Sequence, residues 1–497
     1  MPGRNSQYIK KTSIPGLLVI ERPTHRDFRG FFHEIFRQNE LEKVAGIKFN
    51  PVQLNHAVSV SRVIRAIHTE GWNKLVYPAT GKMFAAIVDV RPESKTFGRV
   101  ETFTFDNTKK DSSHTALFLP KGMGNSVCVI GNEPVHYFYI VDEYWDDKKA
   151  AGIAWDDPDL AIDWPVKNPI ISERDKNNLT LREHFPEKFV GKSEKVLVFG
   201  GSGLVGSRFV ELAKANNIIL APRQNSVDIL KVSSLEKYFK KNKDKFDSVI
   251  NFAAFTNVFE ADKQRSKKSA LSWKLNVQSA ENVARVCKKY NKFLIHISTD
   301  FVFYDTDKDP GPFREDRDLS KNSDKLSWYG WTKLQGELSV REINSRSAIV
   351  RIVYPFRAAK YNLKSDFARI IVDLFKEKKL YPLFTDQIIT PLFIDDIVEP
   401  LIKLLNIRKS GIYHVASSDS CSYYEFGEYL LEKIYGKHDL PEKGSLIEFL
   451  KSPGRNKRPV RGGLSTLKSQ KELGLKFRSW KQMVEEFVDQ LNTPRNN

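Results

Sequence analysis

At residue 195 the rhythm of this sequence changes, and that change sets what each half can fold into. Ahead of it lie short apolar runs: LLVIE, KLVYP, MFAAIVDV, TALFLP, SVCVI and VHYFYIV. Gly, Pro, Asn or charged clusters bound each run, and VETFTF at 100–105 alternates with period two. Many short strands with turn signals between them predict an all-β jelly roll, cupin-like in outline. QNELEKVAG is the best helix candidate in this half. From KVLVFGG onward, strands alternate with helical stretches at 204–215, 235–243 and 277–290, and with a helix starting near Tyr329. Such alternation predicts βαβ units and a doubly wound parallel α/β sheet of Rossmann type. The expected division is a jelly-roll domain over 1–185, a linker over 186–194 and a dinucleotide-binding domain over 195–497. No internal repeat relates the halves.

A chain of 497 residues exceeds one ordinary core. Cys128, Cys287 and Cys421 are odd in number and widely spaced, so neither a disulfide framework nor a Cys-rich metal site is expected. That usage fits a reducing, cytoplasmic setting. MPGRNSQYIKKTS has no apolar stretch, and no run approaches the roughly 18 residues of a membrane span. The net charge of +18 reads as either a nucleic-acid partner or an anionic small substrate. Its lysines are dispersed, as in KKYNK, KKNKDK and KEKK, without zinc-finger spacing or an RNA-binding aromatic signature. The small substrate is the reading taken, with no nucleic acid and no membrane.

Gly200, Gly203 and Gly206 form GxxGxxG between the first strand and first helix of the second half. There a turn lets backbone amides approach a pyrophosphate, and the helix N-terminus adds favourable partial charge. After IIL comes Ala221-Pro222-Arg223, with no carboxylate to hold a ribose 2′-hydroxyl. Arg223 is either a partner for a 2′-phosphate or a solvated loop residue. NADPH is the cofactor expected, with NADH as an alternative. Tyr329 and Lys333 in YGWTK lie one helical turn apart, on one face. Reducing a ketone needs a proton for the oxygen, and an ammonium beside a phenol is expected to lower its pKa. Ser298 and Thr299, ending FLIHIST, provide a third donor.

These residues resemble the extended short-chain dehydrogenase/reductases, and more closely the dTDP-4-dehydrorhamnose reductases. The resemblance runs over about 195–480, through VLVFGGSGLVG, NFAAFTNV, HISTDFVF, YGWTKLQGE, DQIITPLFIDDIV and GIYHVASSDSCSYYEF. It implies Thr299, Tyr329 and Lys333 as the catalytic triad. It implies cofactor contacts at Gly200, Gly203, Leu204, Val205, Gly206, Asp228, Ile229, Ala253 and Ala254, beside Arg223.

In the strand-rich half, His68, Lys74, Tyr139 and Arg65 interrupt apolar runs; singly each has a packing explanation, and jointly they would line a barrel mouth. RGFFHE, VQLNH, IRAIH, KLV, PESKTFG, LPKGM, GIAWDDPDLAIDWP and ISERD resemble, in order, the dTDP-4-dehydrorhamnose 3,5-epimerases. That resemblance implies His68 as base, Asp175 as its carboxylate, Tyr139 as acid and Lys74 as enolate stabiliser. Arg29, Glu34, Gln53, Asn55 and Arg65 would line the sugar-nucleotide pocket, with no metal required. Asn125 stands where the family has a pocket histidine, and Ala66 where it has glycine.

Together the two resemblances imply a bifunctional enzyme. It would epimerise a dTDP- or UDP-linked 4-keto-6-deoxyglucose at C3 and C5, then reduce C4, working as a homodimer. The rival readings are an active reductase with a non-catalytic sugar-binding front domain, and a regulatory protein on the reductase fold.

Overall fold

The computed structural model describes residues 8–492, apart from 110, 111, 113, 147, 149, 190, 307, 308, 320, 437–439, 453 and 456. The reading of the N-terminus as lacking a secretion signal therefore falls largely outside the described residues. The chain divides into two units, Met1–Lys188 and Phe189–Asn497.

The N-terminal unit is a pair of antiparallel sheets. One has six strands, in the order Ile9–Lys11, Leu18–Ile20, Ala116–Leu119, Lys74–Pro78, Val135–Val141, Gln53–Ser59. The other has five, in the order Ala150–Gly152, Ile64–Glu70, Met123–Val129, Lys82–Asp89, Val100–Asp106. Val76, Leu117, Leu119 and Tyr137 of the first pack in one core with Ala85, Ile87, Val127 and Val129 of the second. The outer face of the six-stranded sheet is also covered. Leu75, Tyr77 and Phe118 pack on Leu41 of the helix Gln38–Ala45 and on Phe49. Burial on both faces explains why Leu75, Val76 and Tyr77 form a continuous apolar run rather than alternating. Gly46, at φ +73, ends that helix in the left-handed conformation glycine adopts without strain. This is the jelly roll that the strand pattern predicts.

The C-terminal unit is built on a six-stranded, wholly parallel sheet. Its order is Ile218–Leu220, Lys195–Phe199, Ser248–Asn251, Phe293–Thr299, Ser347–Ile352, Gly411–Val415. The chain leaves the strand Lys195–Phe199 for one edge, then returns to its other side at Ser248–Asn251. That reversal opens a crevice at the carboxyl ends of these strands. Period-two packing divides the strands between two cores. Val196, Val198, Ile250, Ile295 and Val350 face one layer of helices, and Leu197, Phe199, Val249, Leu294 and Ile349 the other.

The helix Trp328–Ile343 is anchored to the sheet by a buried ion pair. Arg351 donates to Glu337 at 3.0 and 2.7 Å, with both side chains almost wholly enclosed. Removing one partner leaves the other charge in a medium that cannot solvate it. Glu337→Ala is expected to cost about 3–5 kcal/mol of stability, measured by urea unfolding of the full chain.

Candidate active sites

Two centres form, one in each unit. In the C-terminal unit the site begins at the turn after Phe199. Gly200 has φ +73, and a Cβ there would lie 2.5 Å from the Ala253 nitrogen. A Cβ on Gly206 would lie 2.3 Å from the Gly200 carbonyl oxygen. Only glycines let this turn close so tightly against the next strand and its own helix. Gly203 caps the helix Leu204–Ala213 without a side-chain bond, leaving that end to present its amides. Gly200, Gly203, Leu204, Val205, Gly206 and Ala254 line one side of a cleft of about 450 Å3. The donor set and the absent Cβ atoms fit a dinucleotide pyrophosphate.

Thr299, Tyr329 and Lys333 line the same cleft. Ser327 caps the helix that carries Tyr329 and Lys333 by accepting from the Gly330 amide at 3.1 Å. A Cβ on Gly330 would meet the Phe301 carbonyl at 2.1 Å, so this helix lies directly on the segment after Thr299. Asn276, fully buried, donates to Thr332 Oγ1 at 2.9 Å and accepts from the Phe255 amide at 2.8 Å. It therefore ties down the turn between Tyr329 and Lys333.

The electrostatics differ from the sequence expectation. Burial pushes the Tyr329 phenol above its usual value, and its hydrogen bond with Thr299 only partly opposes this. Lys333 does not acidify it. The Lys333 ammonium donates to the Ile297 carbonyl at 2.7 Å and lies 3.4 Å from His296 Nε2. Burial lowers Lys333 itself to about 8, with Glu337 opposing. The phenol accordingly keeps its proton at neutral pH, which is the form an acid catalyst needs.

Some residues expected at the cofactor do not line this cleft. Arg223 is exposed in the loop after Ile218–Leu220. Asp228 accepts from the Leu230 amide at 3.0 Å and lies 3.7 Å from Lys231 Nζ. The Ile229 carbonyl accepts from Asn282 at 3.1 Å. Ala253 contributes the backbone beneath Gly200. Conversely, Asp300, Tyr354 and Arg458 line the cleft although the sequence did not single them out. Asp300 had a local signal, following Ser298-Thr299 directly. Burial raises its carboxyl to about 7, while the Thr299 hydroxyl donates to it at 3.1 Å. Arg458, 125 positions beyond Lys333, had none.

A second groove, of about 550 Å3, shares Phe301 and Arg458 with this cleft. Lys325, Arg455 and Lys457 also line it. Of its carboxylates, Asp305 already accepts from the Val460 and Arg461 amides at 2.9 and 3.1 Å.

In the N-terminal unit, His68 Nε2 lies 3.0 Å from Asp175 Oδ1. Asp175 sits on the short helix Glu173–Lys176, its amide donating to Ser172 Oγ at 3.1 Å. Burial acts to raise the Asp175 carboxyl, but the His68 bond and charge and the Ala66 amide hold it below the usual value. From the facing sheet, Lys74 is enclosed with its Nζ 4.6 Å from the centre of the Tyr139 ring. Burial pushes the Tyr139 phenol up, Glu70 adds to that, and Arg65 opposes. Asn125, opposite His68 in register, bridges the sheets by donating to the Tyr137 hydroxyl at 3.1 Å.

Asn55 is the strand neighbour of Tyr139, and its Nδ2 is buried without a hydrogen-bond partner among the described residues. Its Oδ1 accepts from Gln53 at 2.8 Å. An orphaned donor beside a phenol and an ammonium is a place for ligand oxygens. Arg65 donates to Ser59 Oγ at 2.9 Å. Arg29 stands exposed at a hairpin tip, bonded to Asp27, and Glu34 pairs with Arg22 and Arg37. Within one chain, then, His68, Lys74, Tyr139 and Asn55 are held by the sheets and Asp175 is brought to His68 by a short helix, whereas Arg29 and Glu34 have partners of their own.

Two family models match. The one described as RmlD substrate binding domain covers residues 194–493, and the one described as dTDP-4-dehydrorhamnose 3,5-epimerase covers 11–183. A Shigella flexneri protein named dTDP-4-dehydrorhamnose 3,5-epimerase is 34% identical over 171 residues, which is 34% of this chain and 92% of that protein. The crystal structure of dTDP-4-dehydrorhamnose reductase from Bacillus anthracis, in complex with NADP, is 25% identical. It covers 60% of this chain and 99% of its own, with a TM-score of 0.52. A Clostridium acetobutylicum dTDP-4-dehydrorhamnose reductase shares the fold at 24% identity and a TM-score of 0.52, covering 60% of this chain and 99% of its own.

Proposed function

We propose, since the chain belongs to the 3,5-epimerase family in its N-terminal unit and to the RmlD substrate binding domain family in its C-terminal unit, that it is a bifunctional nucleotide-sugar enzyme. It inverts C3 and C5 of a nucleoside-diphosphate 4-keto-6-deoxyglucose, then reduces the C4 ketone to give an activated L-rhamnose. One observation carries this reading: a single chain holds the His68–Asp175 pair with Lys74 against the Tyr139 ring, and Thr299, Tyr329 and Lys333 lining one cleft beside a glycine turn.

The first reaction is proton transfer. The 4-keto group makes the hydrogens on C3 and C5 acidic, because the electron pair left behind delocalises onto oxygen. His68 removes a proton, and Asp175 stabilises the imidazolium that results. Lys74 faces the oxygen that gains charge. Tyr139 returns a proton on the opposite face, inverting the carbon.

In the second reaction NADPH, when bound, supplies hydride to C4. Tyr329 gives its proton to the ketone oxygen, and Thr299 holds the phenol in line. Lys333 braces the strand end through Ile297 and presents positive charge to the cleft. The B. anthracis relative in complex with NADP supports NADPH as the cofactor. The basic groove beside Arg458 suits the substrate's diphosphate.

A homodimer through the N-terminal unit is part of this reading. Phe28, at 96% exposed, and Phe32, at 69%, crown the hairpin of Thr24–Asp27 and Gly30–His33, and Leu54 and Val58 stand exposed on the edge strand Gln53–Ser59. A second copy would cover both. Among the described residues no helix is long and apolar enough to cross a membrane. All three cysteines are free and buried, which suits a reducing cytoplasm.

The test separates the halves. With NADPH omitted and solvent replaced by D2O, the full chain is expected to wash deuterium into C3 and C5 of dTDP-4-keto-6-deoxyglucose. Absence of deuterium would leave the N-terminal unit a binding module.

A further inference from the structure

Lys74 and Tyr139 share an anionic neighbour that neither the sequence motifs nor the proposed chemistry employs. Glu70 ends the strand Ile64–Glu70, and a three-residue turn separates it from Lys74, which starts the next strand. Its carboxylate is ion-paired with the Lys74 ammonium, the two side chains being 16% and 6% exposed. The same carboxylate accepts from the indole N–H of Trp72, itself buried, at 3.0 Å. The turn is fixed from outside. The Asn73 amide and side chain donate to Asp142 at 2.9 and 2.6 Å, and Asn73 Oδ1 accepts from the Lys121 amide at 3.0 Å. Asp142 is thereby engaged by Asn73. Leu119, opposite Lys74 on the adjacent strand, brings no charge. Tyr139 and Tyr137 face in from the strand Val135–Val141, and Arg65 acts on Tyr139 from the other sheet.

We propose that Glu70 is a positioning residue for the epimerisation, whose carboxylate keeps both Lys74 and Tyr139 in their protonated forms and aims the ammonium at the pocket. This inference rests on the reading of Lys74 and Tyr139 as cation and acid. The need for such a group is physical. An ammonium taken out of water drifts toward its neutral form, and burial does lower Lys74, with Glu70 alone opposing among the groups that act on it. A neutral amine could not stabilise an enolate by charge, and an ionised phenol could not return a proton. One carboxylate guards against both losses, because a negative neighbour favours the protonated state of either group. Trp72 keeps it from swinging away when substrate enters.

The experiment uses the full chain and dTDP-4-keto-6-deoxyglucose without NADPH. Deuterium exchange at C3 and C5 is followed from pH 6 to pH 10 in wild type, Glu70→Gln, Glu70→Asp and Lys74→Ala. The expected result is an alkaline limb that moves down by about one pH unit or more in Glu70→Gln. Glu70→Asp keeps the charge and is expected to retain the wild-type limb at a reduced rate. Should Glu70→Gln lower exchange equally at every pH, with the limb unmoved, the inference is overturned and Glu70 only shapes the turn. Should Lys74→Ala exchange as fast as wild type, the role assigned to Lys74 fails first, and the inference falls with it.

Discussion

Replacing Tyr329 with phenylalanine is expected to slow ketone reduction by about 10²–10⁴-fold, while deuterium exchange at C3 and C5 continues at the wild-type rate. Phenylalanine keeps the ring that packs edge-on against Phe301 at 5.5 Å, so the helix Trp328–Ile343 has no reason to move. Only the O–H is lost. Without it, hydride arriving at C4 would leave an alkoxide in an enclosed cleft, with Thr299 as the nearest donor. Thr299 already donates to Asp300, and a hydroxyl is a far weaker acid than the phenol it would replace. NADPH oxidation under saturating keto sugar reads the effect. A variant within tenfold of wild type would remove Tyr329 from the acid role. Because Lys333 lies against Ile297 rather than lowering the phenol, a Lys333→Met variant should leave Tyr329 protonated and impair reduction by a different route.

The complementary variant is His68→Ala. Exchange at both carbons is expected to fall by about 10²–10⁴-fold, and turnover from the unepimerised keto sugar to fall with it. Supplied with keto sugar already inverted at C3 and C5, the same variant should oxidise NADPH at the wild-type rate. The reason lies in the pairing at 3.0 Å. Asp175 is buried and held as a carboxylate, so it can stabilise an imidazolium but has no route to the substrate proton on its own. Persistent exchange in His68→Ala would assign the base to another residue.

How much of this was legible beforehand follows from the range of the interactions. The fold declared itself through periodicity, because alternation and helical spacing are local. The apolar run Leu75–Tyr77 within KLVYP and the strand–turn–helix of KVLVFGGSGLVG both reflect burial that each strand experiences along its own length. Tyr329 and Lys333 were legible for the same reason, being four residues apart on one helix. The pairing of His68 with Asp175 spans 107 positions and emerged only through a family resemblance. Glu70 belongs to none of the motifs read from the sequence, since its partner lies across a turn whose geometry no local pattern encodes. Arg458 reaches the cleft from a distant segment and left no mark at all. The acidity of Tyr329 was misjudged because spacing places an ammonium near a phenol but reports neither the burial that raises the phenol nor the Ile297 carbonyl to which Lys333 donates.

If one chain carries out both steps, NMR of the product that the full chain forms from dTDP-4-keto-6-deoxyglucose and NADPH in D2O will show a 6-deoxyhexose inverted at C3 and C5. Deuterium will stand at both carbons, and the product will form as NADPH is consumed. A sugar reduced at C4 but retaining its original C3 and C5 hydrogens and configuration, or deuterium uptake with no NADPH oxidised, would contradict the two-step reading.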